Sequence, residues 1–412
     1  MTSTEATAGV VEDERAVRAV LEGRAVRRPA RRLESRPRRA GHPVPHRQRG
    51  RRDRLRRPVP AGQTKPRPEG AAPGAWLLGP HDATWLVATS HSCSIHAACA
   101  AKGQRIMASV QSEALKELYQ VWTAALNNPD PIRQESRDTN DHWGDLTAEP
   151  RGVDYIETDA GGVPAMWAIP KASAADRVIF CLHGGGFVSG SLYTHRKLFG
   201  HFAKVIGARA LIATYRHTPE HAHPAQLEDT TTAYRWLLDQ GIAAPHIALA
   251  GDSCGANLAI TTMLRARAMG LPTAVALMLM SPWVDMEVSG QTYETNKATD
   301  AFFYREVVQG LVGMFLAGGG SPHDPLANPL YADLTGLPPM YIQVGGDETL
   351  LDDSRRLAQH GLNAGVDVRL DIFPEQQHTF HMAAGRAPEA DDAIRRFADW
   401  VRPRLGLTGD RN

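Results

Sequence analysis

Cysteine is scarce in this chain of 412 residues, which contains only four. Cys93 and Cys99 lie near His91 and His96, but their spacing fits no standard zinc pattern. We therefore predict neither a disulfide framework nor a metal site. The first fourteen residues hold four acids and lack the apolar core of a secretion signal, so the predicted compartment is the cytoplasm.

Long hydrophobic runs are also missing. No run approaches the roughly 20 apolar residues that cross a membrane, and the run at 274–280 has the length of a buried strand. Hydrophobic residues make up 42% of the chain and charged residues 22%, which are ordinary values for a globular protein with a large core. We therefore predict no integral membrane association.

Acids and aromatic residues are nearly absent from 24–67, a stretch that carries sixteen Arg and one Lys against two acids. Its local charge is +15, whereas the whole chain sums to +1. We predict that 1–106 is a disordered extension because it cannot bury enough apolar surface to fold. Such a stretch is typical of a nucleic-acid arm or a tether to an anionic membrane. The interpretation we favour is a wrong start site or reading frame ahead of Met107, so we expect no nucleic-acid partner.

Two glycine-rich motifs are the most informative features that are present. The Gly-Asp-Ser-Cys-Gly motif at 251–255 lies between an apolar run and a helix-like run, the setting of a nucleophile elbow that presents Ser253. The His-Gly-Gly-Gly motif at 183–186 follows a strand-like run and leaves backbone N–H groups bare for an oxygen that becomes negative in acyl transfer. A phosphate loop is disfavoured because no Lys-Ser or Lys-Thr pair follows the glycines.

An acid and a histidine follow Ser253 in the order of serine hydrolases. A strand-like run at 340–346 ends at Asp347 and Glu348, and either carboxylate can orient a histidine. A second strand-like run at 368–373 leads into a loop with His378, which we predict to be the general base. His381 is its close competitor. In the glycine loop, His183 is predicted to brace the loop by hydrogen bonding.

The predicted elements after residue 150 alternate between strands and helices, which favours an α/β fold with a mostly parallel, doubly wound sheet. Strands are predicted near 165–169, 177–182, 209–214, 246–250, 275–281, 340–345 and 368–373, and helices near 196–206, 225–240, 256–269, 352–364 and 389–404.

Two apolar segments outside this alternation are predicted to form a helical cap over the active site. The first, within 107–150, places Leu115, Leu118, Tyr119, Trp122 and Leu126 on one helix face. The second, within 285–335, contains Phe302, Phe303, Tyr304, Val307, Val308, Leu311, Met314 and Phe315. We expect these two segments, named the cap below, to form the acyl pocket.

These motifs resemble the hormone-sensitive-lipase-like branch of the α/β-hydrolases, the bacterial family IV esterases. The resemblance covers 107–407 as the catalytic domain and rests on six ordered blocks, at 183–186, 215–225, 251–255, 281–285, 324–331 and 378–380. It implies an α/β-hydrolase fold with a helical cap and a serine carboxylesterase for short- to medium-chain acyl esters, without metal or organic cofactor. Dimerisation through a sheet edge is common among such proteins.

The resemblance also assigns individual residues. The family's acid motif aligns so that Glu348, rather than Asp347, orients His378 beside Ser253. Backbone N–H groups of Gly184, Gly185, Gly186 and Cys254 are implied as the oxyanion hole. Cys254 stands where the family usually has alanine, and an exposed thiol there would react with mercurials or oxidants.

Two alternatives stay open. An arylacetamide-deacetylase-like enzyme would use the same residues on amides or drug esters. A non-catalytic binding protein, like the plant gibberellin receptors, would lack the catalytic histidine, which His378 argues against.

Overall fold

An eight-stranded sheet runs through the part of the chain that the computed structural model describes, residues 107–126 and 142–408. The spatial order of the strands is β1-β2-β4-β3-β5-β6-β7-β8. The β1–β2 and β2–β4 pairs are antiparallel, and every other pair is parallel. The strands are β1 (Val153–Asp159), β2 (Pro164–Pro170), β3 (Ala174–Leu182), β4 (Ala208–Ala213), β5 (Ile247–Asp252), β6 (Ala276–Met280), β7 (Met340–Gly345) and β8 (Val368–Phe373).

Helices cover both faces of this sheet. They are α1 (Val110–Leu126), α2 (Leu192–Ile206), α3 (Ala225–Asp239), α4 (Cys254–Ala268), the short α5 (Thr292–Thr295), α6 (Arg305–Phe315), α7 (Leu351–Asn363) and α8 (Pro388–Arg404). One layer contains α3, α4 and α7, and the opposite layer contains α1, α2 and α8. Within the described ranges, none of these helices combines the length and the apolar character needed to cross a bilayer.

The alternation of side chains along the central strands explains the two layers. On β3, Val178, Phe180 and Leu182 join one core, whereas Ile179 and Cys181 join the other. Because both faces are buried, these strands read as continuous apolar runs in the sequence. The predicted mostly parallel α/β sheet is confirmed.

All seven predicted strands are present, but β1 escaped prediction. None of its seven residues is fully buried, and Asp154, Glu157 and Asp159 interrupt any apolar alternation. It is held as an edge strand by antiparallel pairing with the next strand, β2, and not by an apolar pattern of its own. Helix α2 also begins earlier than predicted, because Ser191 and Thr194 form a capping box at its start.

The two segments of the predicted cap contact one another. The Leu115, Leu118, Tyr119 and Trp122 side chains of α1 are buried. The ring of Tyr119 lies 5.1 Å from that of Phe302, and the Thr123 hydroxyl donates to the Ala301 carbonyl at 2.9 Å. In the second segment, Val308 and Phe315 are fully buried. Helix α6 occupies only the middle of this segment.

Several predictions lie outside the described residues. These concern the whole Arg-rich extension 1–106, the Cys93 and Cys99 region, and the Leu126 side chain.

Two buried aspartates hold the turn that follows β6. The carboxylate of Asp353 accepts the backbone N–H groups of Val284 and Asp285, each at 2.9 Å, while Asp285 pairs with Arg356. Burial, together with the charge of Asp285, raises the pKa of Asp353 to about 8. The folded protein therefore keeps this carboxyl protonated at a pH where the unfolded chain ionises it.

This shift gives a prediction for the pH dependence of stability. Between the ordinary pKa of 3.8 and about 8, only the folded state holds the Asp353 proton, so its contribution to stability falls as pH rises. Asp353→Asn has no proton to lose. We expect the melting temperature of the wild type to fall relative to that of Asp353→Asn as pH increases across this window, measured by differential scanning calorimetry. Parallel profiles would mean that Asp353 is already ionised in the folded protein.

Candidate active site

Ser253 occupies a sharp turn between the end of β5 and the start of α4. Its backbone has φ +53° and ψ −123°, a region that residues with a side chain rarely adopt. Hydrogen bonds to the end of β6 and the turn that follows it hold the strained residue in place. Its N–H donates to Met280 O at 2.9 Å, and its carbonyl accepts from Trp283 N–H at 3.2 Å. The turn therefore presents the serine at the carboxyl end of the sheet, as a nucleophile elbow does.

The glycines that flank the serine are required by close backbone contacts. A Cβ on Gly255 would lie 2.2 Å from Leu182 O, and one on Gly251 would lie 2.3 Å from Gly255 O. Helix α4 thus starts directly against the end of β3, with no room for side chains between them.

A histidine and a glutamate form a buried pair after β7 and β8. The Nδ1–H of His378 donates to Oε2 of Glu348 at 2.9 Å, and both side chains are fully buried. The other carboxylate oxygen of Glu348 accepts from Ser281 Oγ and from Gly345 N–H, each at 2.6 Å. Within the described residues, the buried Nε2 of His378 has no hydrogen-bond partner. Its lone pair is therefore available to accept a proton.

Neither alternative residue competes for these positions. Asp347 turns toward α1, where it pairs with Lys116 Nζ at 3.1 Å, and it makes no bond to His378. His381 bonds through Nε2 to Gln343 Oε1 at 3.0 Å. Burial, together with the neighbouring His378, lowers the pKa of His381 to about 3, so this ring is neutral. The structure thus brings Glu348, and not Asp347, to His378.

The glycine loop corrects one expectation. The N–H of Gly184 donates to Asp252 Oδ1 at 3.0 Å, so it is not free to act as an oxyanion donor. Gly185 and Gly186 adopt φ values of +117° and +62°, which let the loop turn beside the serine. Cys254 is the first residue of α4, where backbone N–H groups lack helical partners and the helix dipole favours negative charge. Of the four predicted donors, Gly185, Gly186 and Cys254 remain, and the Gly186 N–H also interacts with the Cys254 sulfur.

His183 lies beneath this loop. Its Nδ1–H donates to the Gly184 carbonyl at 2.7 Å, and its ring stacks on Tyr215 at 4.3 Å. Burial lowers the pKa of His183 well below its usual range, so the ring is neutral and supports the loop by hydrogen bonding.

Sequence reasoning missed the contribution of Asp252 and His195. These two side chains are buried and lie 3.3 Å apart, and Asp252 also accepts the Gly184 N–H. Burying a carboxyl group is costly unless its oxygens have hydrogen-bond partners, and here both oxygens of Asp252 have one. The signal in the sequence was an acid that ends an otherwise apolar strand.

The thiol of Cys254 is fully buried, and burial raises its pKa to about 12. Sensitivity to mercurials or oxidants was expected only for an exposed thiol, and the Cys254 thiol is not exposed.

The second cap segment covers the site. The ring of Phe303 meets that of His378 edge-on at 4.7 Å, and Phe315 stacks on Phe187 of the glycine loop at 3.9 Å. Leu311 lies against Gly186, where a Cβ would be 3.0 Å from Leu311 Cδ1. Among the described residues, no three His, Cys, Asp or Glu side chains are grouped so as to hold a metal.

Comparisons with known proteins identify the fold and the family. Residues 179–382 match a family model of the alpha/beta hydrolase fold. An acetyl-hydrolase of Streptomyces hygroscopicus is 36% identical over 301 residues, which are 73% of this chain and 99% of that protein. An esterase of Acinetobacter venetianus is 35% identical over 233 residues, 57% of this chain and 77% of that protein.

Solved structures give the same result. A bacterial esterase of the hormone-sensitive lipase family is 37% identical with a TM-score of 0.69, and the match covers 73% of this chain and all 100% of that one. An esterase/lipase from an uncultured bacterium is 32% identical with a TM-score of 0.68, with the same coverage. Fold and site define an α/β-hydrolase. The chain belongs to its hormone-sensitive-lipase-like family and is a carboxylic ester hydrolase.

Substitution of two glycines by alanine is predicted to have opposite effects on stability. Gly255→Ala forces a methyl group onto the Leu182 and His183 carbonyls, so we expect a loss of more than about 4 kcal/mol of stability and no activity. Gly310→Ala, in the interior of α6 with open space around it, should gain up to about 1 kcal/mol. Urea unfolding measures both changes, and a stable, active Gly255→Ala protein would contradict the close approach.

Proposed function

We propose that the protein hydrolyses short- to medium-chain acyl esters through an acyl-serine intermediate. The observation that carries the proposal is the buried His378–Glu348 pair, with Nδ1 to Oε2 at 2.9 Å and Nε2 unpartnered in the described structure. Ser253 on its elbow is the nucleophile that this base would serve.

In the acylation step, Oγ of Ser253 attacks the ester carbonyl while Nε2 of His378 takes the hydroxyl proton. Glu348 stabilises the imidazolium that forms, and it fixes the tautomer by accepting Nδ1–H. Ser281 and Gly345 saturate the other oxygen of Glu348, so the carboxylate stays oriented toward His378. The imidazolium then gives its proton to the leaving alkoxide oxygen, and the alcohol departs.

The negative oxygen of the tetrahedral intermediate would bind the N–H groups of Gly185, Gly186 and Cys254. These donors come from the glycine loop and from the start of α4, which meet at Gly255. Loss of one such donor typically raises the barrier by about 2.7–4 kcal/mol. Deacylation repeats the sequence with water as the nucleophile, which releases the acid and restores Ser253.

Side chains of the second cap segment lie beside the proposed reacting groups. Leu311 lies against Gly186, and the ring of Phe303 meets that of His378 edge-on at 4.7 Å, so we infer that both side chains border the acyl pocket. This arrangement supports small acyl groups. The relative from Streptomyces hygroscopicus, which is named an acetyl-hydrolase, is consistent with that size.

The two acids after β7 provide the test of mechanism. On p-nitrophenyl butyrate, Ser253→Ala should be inactive, and Glu348→Gln should lower kcat by on the order of 10³-fold or more because the histidine loses its orienting charge. Asp347→Asn weakens the pair with Lys116 and a hydrogen bond from Gln377 at 3.4 Å, and it should stay within about tenfold of the wild type.

Circular dichroism and melting temperature confirm that each variant is folded. Equal losses for Glu348→Gln and Asp347→Asn would refute the assignment of the acid. Full activity of Ser253→Ala would refute the acyl-serine mechanism, and a folded, inactive wild type would favour the binding-protein alternative. Turnover of p-nitroacetanilide at a rate similar to the ester would favour the amide hydrolase.

Chain-length preference tests the pocket. Leu311→Ala should move the optimum in a p-nitrophenyl acetate-to-palmitate series toward longer acyl groups, because it removes the methyl groups that face Gly186. Leu316→Ala is the matched control, since Leu316 just beyond the same helix contacts Gly320 instead of the glycine loop. The same shift in both variants, or none in Leu311→Ala, would show that Leu311 does not limit the pocket.

A further inference from the structure

Cys254, the residue after Ser253, differs from the alanine that the family usually has at this position. In this chain Cys254 places a fully buried sulfur between the glycine loop and Tyr215. The N–H of Phe187 donates to Sγ at 3.3 Å, and Tyr215 Oη lies 3.4 Å from the same sulfur. An alanine would make neither contact.

The direction of these hydrogen bonds follows from the available protons. The Tyr215 hydroxyl donates its single proton to the His183 carbonyl at 2.7 Å. Its oxygen therefore accepts the S–H of Cys254, while a lone pair of the sulfur accepts the Phe187 N–H. Since burial raises the thiol pKa to about 12, the S–H proton stays in place for this bond. These hydrogen bonds therefore link two points of the glycine loop, the His183 carbonyl and the Phe187 N–H, through Tyr215 and Cys254.

The loop needs such support at Phe187. This residue has φ +63°, an unfavourable angle for a residue with a side chain, and its ring is clamped against Phe315. Its buried N–H donates to Sγ, and the Gly186 N–H also interacts with this sulfur. Between the two anchor points lie Gly185 and Gly186, whose N–H groups must lie within about 3 Å of the same oxyanion.

We propose that the sulfur of Cys254 is a positioning element that sets the distance between the two halves of the oxyanion hole. The backbone N–H of Cys254 supplies one half, and its side chain holds the loop that supplies the other. This inference rests on the proposed acyl-serine mechanism and extends it to a side chain that is neither a proposed reacting group nor a proposed donor.

The experiment compares Cys254→Ala and Cys254→Ser with Cys181→Ala. Cys181 is the matched control because it is also a fully buried free cysteine, but it belongs to the opposite core and bonds to Ile179 O. For each protein, kcat and KM on p-nitrophenyl butyrate are measured together with the inhibition constant of butylboronic acid, which mimics the tetrahedral intermediate, and the melting temperature.

We expect Cys254→Ala to lower kcat by on the order of tenfold with KM changed less than about twofold, because only the transition state uses the aligned donors. The affinity for butylboronic acid should fall by a similar factor. Cys254→Ser, whose hydroxyl both donates and accepts, should recover much of both losses, and Cys181→Ala should match the wild type.

Unchanged kcat and boronic acid affinity in Cys254→Ala would overturn the inference. So would equal impairment of Cys254→Ser and Cys254→Ala, since the sulfur would then act through its volume alone. If Cys254→Ala does not fold, a Cys254→Ser protein with wild-type boronic acid affinity supports the role, and one with strongly reduced affinity opposes it. Inactivity of Ser253→Ala alongside a normal Cys254→Ala would leave the mechanism intact and reject only this role.

Discussion

The close approach of helix α4 to the end of strand β3 is the constraint on which the site depends. With no Cβ at Gly255, the start of the helix lies against the Leu182 and His183 carbonyls. This contact forces the chain into the strained turn at Ser253 and places the free N–H at the start of α4 beside the glycine loop. The proposed nucleophile and the proposed oxyanion donors therefore share one junction between two parallel strands. Rigid backbone of this kind avoids reorganisation when charge develops on the reacting oxygen.

Buried polar groups then maintain this junction. Asp252 bonds to both His195 and the Gly184 N–H, so the side chain at the end of β5 orients the first turn of the loop. Glu348 uses both oxygens, one for His378 and the other for Ser281 and Gly345. A buried carboxylate without hydrogen-bond partners would be costly. In both Asp252 and Glu348, each carboxylate oxygen has a partner, and the positions of these partners matter to the site.

The sequence predicted the core of this arrangement because its signals are local. Fully buried parallel strands appear as apolar runs, and the order of serine, acid and histidine is visible along the chain. The preference for Glu348 over Asp347 came only from family alignment, since no local pattern shows that Asp347 turns toward Lys116 on α1, far away in the chain. Gly184 was wrongly grouped with its neighbours because three adjacent glycines look equivalent until Asp252 is seen to occupy one N–H. Edge strand β1 escaped because its partner, and not its composition, stabilises it.

The end of strand β6 joins the two halves of the site. Met280 O accepts the N–H of Ser253, which belongs to the nucleophile half. The next residue, Ser281, donates its hydroxyl to Glu348 and accepts the N–H of Thr379, so it links the acid to the residue that follows His378. Ser281 is itself held at φ +43° by a bond from its N–H to Gln343 O on β7. Met280 and Ser281 thus connect Ser253 to Glu348 and to the loop of His378 by hydrogen bonds. This connection explains how side chains from three separate loops keep a common geometry.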